Sequence, residues 1–255
     1  MKYHDLLSHV PPELRRGVRC FSFSRWGGTS PKPFHELNVA VGVGDMRENV
    51  KANLRLIKEF CQVEEIFSPR QVHGTRFFHV KSGPFDGGET RLNPKADGLF
   101  SDMTDIGLMI KHADCQAVVL FDPVRRAIAN IHCGWKGSVR QILPKAVHEL
   151  STVYGSVPQD IWAGISPSLG PCCAEFKEWK STLPPWMHPF QVRPDHFDFW
   201  AISRYQLMNA GLSDAKIFCV EVCTKCNHNY FSYRREGVTG RVGTLVALSS
   251  RLQST

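Results

Sequence analysis

Three short apolar runs in the middle of the chain constrain the fold most strongly. They cover residues 107–110, 117–121 and 127–131, and polar residues separate them. Apolar runs of this length between turn-forming residues are typical of buried strands. Asp122 and Pro123 form a tight turn between the second and third runs, which predicts a β-hairpin. The centre of the chain is therefore expected to be a strand-rich sheet.

Helices and further strands alternate irregularly around this centre. Strands are predicted over residues 18–23, 161–165, 216–222 and 243–248, and helices behind Asp45, from Gly137 and over 195–210. Pro144 lies inside the second helix and predicts a kink. The expected buried faces of the helices are Val50, Leu54, Ile57 and Cys61, then Val139, Leu143, Ala146 and Leu150, then Ala201, Tyr205, Met208 and Leu212.

The irregular order favours mixed sheets over a regular doubly wound fold. No internal repeat or low-complexity linker divides the chain, so residues 1–255 are expected to form one α/β (α+β) domain.

Composition excludes several classes of function. The chain has a formal net charge of +7, which suits an anionic ligand. No run of Lys and Arg is longer than two residues, so a specific nucleic-acid partner is not expected. No apolar run approaches the roughly 18–20 residues that span a bilayer, and the N-terminus lacks the apolar core of a signal peptide. We therefore expect a cytoplasmic protein with no membrane partner. We also expect a monomer, because no exposed apolar helix face stands out in the sequence.

The nine cysteines do not indicate a disulfide framework, because their number is odd and no signal peptide precedes them. Metal binding, nucleophilic catalysis and simple burial are the alternatives. His73 stands in a Gln-Val-His-Gly run, Cys115 directly precedes a predicted strand, and His132 lies between a strand and a helix. Brought together, the three side chains offer two imidazoles and a thiolate to Zn²⁺ and leave a fourth position open. Burial and ordinary hydrogen bonding remain the competing interpretation.

A second cysteine-rich segment contains Cys219, Cys223, Cys226 and His228. The spacing of its cysteines occurs in iron–sulfur sites, but only 29 residues follow Cys226, which is the wrong context for such a loop. Cys172 and Cys173 are adjacent and are expected to be buried. A multi-copper centre needs histidine pairs two residues apart, and no such pair occurs among the 11 histidines.

An arginine-rich run near the C-terminus contains Arg234, Arg235 and Arg241. Guanidinium groups match phosphate or carboxylate. A solvated hairpin is the alternative that the charge pattern alone favours.

Taken in order, the short motifs resemble those of the YfiH-like family, known as polyphenol oxidase or laccase-domain proteins and associated with purine nucleoside phosphorylase activity. The matches run from about residue 20 to 245. Cys133 and Lys136 depart from the family pattern, which has alanine and arginine at these positions. The matching segments are residues 24–30, 37–39, 43–45, 71–74, 96–98, 113–115, 132–137, 170–173 and 231–235.

The resemblance implies an α/β/β/α arrangement of mixed sheets, related to the catalytic domain of cytotoxic necrotizing factor. It implies His73, Cys115 and His132 as ligands of Zn²⁺, with Cu²⁺ as a second option. The expected substrates are a purine nucleoside and phosphate, and adenosine deamination and methylthioadenosine phosphorolysis are further implied activities. The residues expected to contact nucleoside or phosphate are Asn38, Arg55, Asp114, Arg234 and Arg235.

Other functions remain open from the residues alone. A metal-free hydrolase or deamidase would use Cys115 as nucleophile, with His132 or His73 as its base. Copper-dependent oxidation of phenols and a non-catalytic binding role are the remaining alternatives.

Overall fold

A computed structural model describes residues 1–81 and 94–250. Within these ranges the chain forms thirteen strands and six α-helices. The strands are β1 Tyr3–Asp5, β2 Val18–Phe23, β3 Glu65–Phe67, β4 Phe77–His79, β5 Gly98–Ser101, β6 Ile106–His112, β7 Gln116–Asp122, β8 Ala127–Cys133, β9 Trp162–Ile165, β10 Gln191–Arg193, β11 His196–Phe197, β12 Ile217–Cys219 and β13 Val242–Leu248.

The helices lie between these strands, and the longest are α1, α3 and α5. Three short 3₁₀ helices also occur, at Pro158–Asp160, Pro185–Phe190 and Asp214–Lys216. The α-helices are α1 Arg47–Cys61, α2 Trp135–Val139, α3 Ile142–Tyr154, α4 Trp179–Thr182, α5 Phe199–Asn209 and α6 Tyr233–Glu236. Among the described helices, none combines the length and apolar character that a membrane crossing requires.

Two mixed sheets form the centre of the molecule. The five-stranded sheet has the order β1-β2-β13-β6-β3 and the six-stranded sheet the order β12-β9-β7-β8-β5-β4. Most neighbours are antiparallel, but β3 is parallel to β6, β4 to β5, and β12 to β9. The predicted hairpin of β7 and β8 is confirmed, with Ala117 opposite His132. The mixed-sheet prediction is therefore also confirmed.

Strand β7 is buried on both faces, which explains its continuous apolar sequence. Val118 and Leu120 pack in the cluster that includes α3. Val119 and Phe121 point the other way, into the cluster between the two sheets. A third cluster packs α1 against the five-stranded sheet. The layers thus run α1, five-stranded sheet, six-stranded sheet, α3, as the resemblance implied.

Two predictions about the helices were wrong in detail. The second predicted helix is split, because Gln141 has a left-handed φ of 55° between α2 and α3. Pro144 then falls in the first turn of α3, where its missing N–H disturbs no helical hydrogen bond, so the expected cause of a kink is absent. The third helix begins at Phe199, after Asp198 caps the backbone N–H groups of Trp200 and Ala201.

The buried face of α5 was also predicted wrongly. Tyr205 and Met208 are exposed, and the buried residues are Phe199, Ile202, Ser203, Gln206 and Leu207. Two of these are polar residues with partners in the interior, and an apolar periodicity does not detect them. The predicted strand at 216–222 is shorter, ending at Cys219. The prediction of one domain over 1–255 includes residues 82–93 and 251–255, which lie outside the described residues.

Candidate active site

The pairing of β7 with β8 brings Cys115 and His132 to the same end of the six-stranded sheet. Cys115 directly precedes β7, and His132 is the next-to-last residue of β8. His73 reaches them from the loop between β3 and β4. The side chain of Gln71 fastens this loop to β6, because its Nε2 donates to the Lys111 carbonyl at 2.7 Å and its Oε1 accepts from the Lys111 amide at 3.0 Å.

The three predicted ligands therefore meet. One ligand atom from each of His73, Cys115 and His132 lies within 4.8 Å of the other two. The Cys115 sulfur is 4.0 Å from Nε2 of His73, and the two imidazole rings are nearly perpendicular, with centroids 4.8 Å apart. Two imidazole nitrogens and one thiolate make a donor set that suits Zn²⁺ and leaves one coordination position for another ligand.

Asp97 holds this group together. It is fully buried, and its carboxylate accepts from Nδ1 of His132 at 2.9 Å. It also accepts from the backbone amides of His73 at 2.9 Å and Gly74 at 2.7 Å. The bond to Nδ1 leaves Nε2 of His132 free to face the site. In the sequence, Asp97 was noted only as part of a motif match, and its role in orienting His132 was missed. The feature that could have indicated this role is an acidic residue directly before an apolar strand.

Gly134 leaves the space in which the side chains of Cys115 and His73 approach each other. A Cβ atom at this position would lie 3.0 Å from the Cys115 sulfur and 3.2 Å from Cδ2 of His73. A larger residue would therefore displace two of the three side chains. This steric requirement explains the glycine that follows Cys133 in the sequence.

The electrostatics of the group favour a thiolate. Burial opposes the charged form of Cys115, but the charge and hydrogen bond of His132 outweigh it and lower the pKa of the thiol to about 6. Burial likewise opposes the imidazolium of His132, but Cys115 and Asp97 raise the pKa of the ring to about 9. A deprotonated sulfur is both the better metal ligand and the better nucleophile.

The three residues open into a cavity of about 850 Å³. Four aromatic side chains contribute to its wall: Trp135, Phe176, Phe199 and Tyr233. Four cationic side chains also line it: Arg70, Lys111, Arg234 and Arg241. A cavity with aromatic faces and several cations suits a ligand that has a flat ring and an anionic group.

Lys111 and Arg70 were not among the predicted site residues, and Arg241 was noted only as part of the C-terminal run. The signal for Lys111 was its position as the one charged residue inside the buried strand β6. Burial lowers the pKa of the Lys111 ammonium to about 8. A half-buried cation with its side chain at a cavity wall is a stronger indication of anion binding than a charge in a surface run.

The other five predicted residues divide into two groups. As far as the described residues show, the cavity wall includes Asp114 and Arg234 but not Asn38, Arg55 or Arg235. Asp114 accepts from the Thr224 hydroxyl at 2.7 Å and from the Arg234 amide at 2.6 Å.

The three residues away from the wall have other surroundings. The side chain of Asn38 is buried and bonds Ala40, Asp45 and the Arg241 amide. Arg235 donates to the carbonyls of Thr224, Lys225 and Tyr230, and Arg55 is exposed on α1. Their assignment to substrate stays a prediction.

Comparison with known proteins gives a consistent result. Residues 19–249 match the family model described as multi-copper polyphenol oxidoreductase laccase. The chain is 32% identical over 238 residues to purine nucleoside phosphorylase YlmD of Geobacillus stearothermophilus, and the match covers 86% of each chain. It is also 32% identical to a purine nucleoside phosphorylase of Xylella fastidiosa, covering 94% of this chain and 95% of that protein.

Solved structures agree with the fold. The crystal structure of YlmD from Geobacillus stearothermophilus superposes with a TM-score of 0.84 at 29% identity, covering 94% of each chain. The crystal structure of the Bacillus licheniformis hypothetical protein YfiH gives a TM-score of 0.83 at 27% identity, covering 91% of this chain and 93% of that one.

Proposed function

The chain belongs to the multi-copper polyphenol oxidoreductase laccase family, and on that premise we propose that it is a purine nucleoside phosphorylase. Relatives that match most of its length carry this activity in their names. The observation that carries the proposal is the cavity, which places aromatic and cationic side chains beside His73, Cys115 and His132. The substrates are adenosine and inosine together with inorganic phosphate.

The cations of the wall bind the phosphate. Lys111 lies in β6, and Arg241 directly precedes β13, the strand that pairs with β6, so the two cations approach the cavity from one side. Arg234 joins them from α6. Phosphorolysis forms a bond between a phosphate oxygen and C1′ of the ribose while the bond from C1′ to the purine nitrogen breaks. The leaving electron pair goes to the purine, which takes up a proton, and the products are the free base and ribose 1-phosphate.

The aromatic side chains bind the purine. Trp135 and Phe176 are in edge contact with centroids 6.0 Å apart, and Phe176 and Phe199 are 5.1 Å apart. A purine presents a flat π face that stacks on such rings with little reorganisation. Their attachment to α2, α5 and the loop before α4 fixes the base relative to the cations.

His73, Cys115 and His132 are proposed to hold Zn²⁺, with Asp97 orienting His132. When bound, Zn²⁺ supplies a Lewis acid and lowers the pKa of coordinated water. The donor set of two imidazoles and one thiolate favours zinc over a multi-copper centre, for which the described residues provide only these two histidines at the group. Cu²⁺ at the same single position remains the second option.

The open coordination position supports a second activity, the deamination of adenosine to inosine. The metal that His73, Cys115 and His132 would hold would supply an activated water for the replacement of the amino group at C6, which leaves as ammonia. Methylthioadenosine is a further proposed substrate, because an apolar wall accepts a thioether as readily as a hydroxymethyl group. We retain the predictions of a cytoplasmic location and a monomeric state.

The lowered pKa of Cys115 and the chain Cys115–His132–Asp97 favour one rival, a metal-free cysteine hydrolase. Chelation separates the two hypotheses, since a thiol nucleophile keeps its activity when metal is removed and a metal-dependent enzyme loses it.

Product analysis tests the proposal. Adenosine or inosine is incubated with the protein and phosphate, and products are identified by mass spectrometry beside a Cys115→Ala variant and a Cys219→Ala control. Free base and ribose 1-phosphate, lost in Cys115→Ala and retained in Cys219→Ala, support a phosphorylase at this site. Inosine alone from adenosine would make the protein a deaminase, and no turnover of either nucleoside would contradict the proposal.

A further inference from the structure

Two loops that are far apart in sequence bring four cysteines together. Cys172 and Cys173 come from the loop after β9, and Cys223 and Cys226 from the loop after β12. Their sulfur atoms all lie within 4.8 Å of one another. We propose that these four thiols bind a second Zn²⁺ ion in a closed, structural site that shares no residue with the His73, Cys115 and His132 group.

The distances between the sulfur atoms fit a single tetrahedral ion. The Cys226 sulfur is 3.7 Å from that of Cys172 and 3.5 Å from that of Cys173. Thiolates bound about 2.3 Å from one zinc ion stand about 3.8 Å apart at the corners of a tetrahedron. A disulfide requires about 2.05 Å, and a cluster of several irons spreads its thiolates over different metal atoms. Both distances from Cys226 therefore match ligands of one ion, and the other sulfur pairs lie within 4.8 Å.

This grouping corrects the iron–sulfur hypothesis. That hypothesis joined Cys223 and Cys226 to Cys219 and His228 by their sequence spacing. The group of four contains neither of these two residues, and Cys219 lies in strand β12. The partners come instead from the adjacent pair Cys172 and Cys173. The prediction that this pair is buried was wrong, since Cys172 is exposed and Cys173 is half-buried.

The surroundings provide what a tetrathiolate ion needs. Backbone hydrogen bonds join the two loops, because the Thr224 amide donates to the Ser168 carbonyl at 2.9 Å and the Ser168 amide donates to the Val222 carbonyl at 3.1 Å. Four thiolates around Zn²⁺ carry a net charge of −2, so nearby cations are favourable.

Three guanidinium groups bind the carbonyls of these same loops. Arg193 donates to Cys172 at 2.6 Å, Arg234 to Cys173 at 3.3 Å and Arg235 to Lys225 at 2.8 Å. Their positive charge offsets that of the site, and their hydrogen bonds fix the loops that carry the ligands.

The ion would also set the wall of the substrate cavity. Ala174 and Phe176, which line the cavity, follow Cys173 by one and three residues. Thr224, between the other two cysteines, donates to the Asp114 carboxylate at 2.7 Å. All four ligand positions are filled by protein, so the ion has no position for substrate and acts by holding the two loops together.

Metal analysis tests the site independently of the catalytic group. A His73→Ala/His132→Ala variant, purified under reducing conditions, is measured for zinc by mass spectrometry. We expect one zinc per chain, falling to none when Cys173→Ser and Cys226→Ser are added and remaining at one when Cys219→Ser is added instead. Because the catalytic histidines are absent throughout, failure of the proposed function does not affect this result.

Two further measurements test the site if the variant with all four substitutions, at His73, His132, Cys173 and Cys226, does not fold. Reconstitution of the His73→Ala/His132→Ala variant with Co²⁺ should give the strong visible and near-ultraviolet absorption of a tetrahedral thiolate site. Alkylation of the denatured protein should modify all nine cysteines. Three results would each overturn the proposal. The first is a protein without zinc that also gives no cobalt spectrum, and the second is a zinc content that the cysteine substitutions do not change. The third is a pair of cysteines that escapes alkylation because it forms a disulfide.

Discussion

The Nδ1 atom of His132 donates to Oδ1 of Asp97 across 2.9 Å, and both side chains are buried. The same carboxylate accepts from the amides of Val72, His73 and Gly74. One buried carboxylate therefore positions two of the three proposed metal ligands, one through its ring and one through its backbone.

Replacing Asp97 with asparagine should weaken metal binding. The amide still occupies the space but loses the charge that favours Nδ1–H on His132, and it offers one acceptor where the carboxylate offers two. We expect zinc affinity at the catalytic site to fall roughly 10- to 100-fold, measured by competition with a chromophoric chelator. The exposed Asp102→Asn variant serves as the control, and unchanged zinc affinity in Asp97→Asn would contradict the orienting role.

Replacing Gly134 with alanine should damage the site without backbone strain, because Gly134 has an ordinary extended conformation with φ −81°. The new methyl would meet the Cys115 sulfur at 3.0 Å and His73 at 3.2 Å. Displacement of these side chains should lower kcat/KM on the order of 100-fold. Thermal unfolding measured in parallel should shift by only a few degrees (roughly 1 kcal/mol); full activity would show that the site tolerates the displacement.

Lys111 should control the affinity for phosphate. A Lys111→Met variant removes the cation and should raise the KM for phosphate roughly 10- to 100-fold, with a much smaller effect on the KM for nucleoside. Steady-state kinetics with each substrate varied separately measures the difference. An equal rise in both constants would indicate a general disturbance of the cavity instead.

The same lysine predicts a pH dependence. Burial lowers the pKa of the Lys111 ammonium to about 8, so the free enzyme loses this charge as the pH rises through that value. The KM for phosphate should therefore increase above about pH 8. In a Lys111→Arg variant the charge persists, and the increase should disappear. A rise of equal size in both proteins would assign the titration to another group.

Glu236 should contribute stability that is lost in acid. It accepts from Arg25 and Arg235, each at 2.8 Å, and from the Thr239 hydroxyl. Burial alone would raise the pKa of this carboxyl, but the hydrogen bonds from Thr239, Arg235 and Arg25 lower it to about 2. Because the folded pKa lies below the unfolded value of about 4.5, the contribution is complete above the unfolded pKa and disappears as the pH falls toward 2.

A Glu236→Gln variant measures this contribution. At pH 7 its free energy of unfolding should be lower than that of the wild type by roughly 2 kcal/mol, after allowance for partial solvent screening. The difference should shrink between about pH 4.5 and pH 2. Urea denaturation at a series of pH values measures this change. The exposed Glu178→Gln variant should show no such trend, and a pH-independent difference in Glu236→Gln would refute the linkage.

Much of the architecture could be predicted from local sequence. Strands β2, β6, β7, β8 and β13 were located because each combines a short apolar run with flanking turn residues. Helix α1 was located by its apolar spacing, although Asn53 is buried on that face where Leu54 was expected. The side chain of Asn53 bonds the carbonyls of Glu36 and Asn38, a long-range arrangement that an apolar pattern does not record.

The sequence by itself determined the central sheet, the motif order that resembles a known family, and the chemistry available at His73, Cys115 and His132. Only the tertiary structure decided which side chains meet. In the folded protein, Asp97 bonds His132, and Lys111 lies at the cavity wall, whereas Asn38 and Arg55 do not. The fold also places Cys172 and Cys173 next to Cys223 and Cys226. The physical reason is that periodicity and turn residues act over a few neighbours, whereas a site is made by strand pairing and loop contacts between residues tens of positions apart.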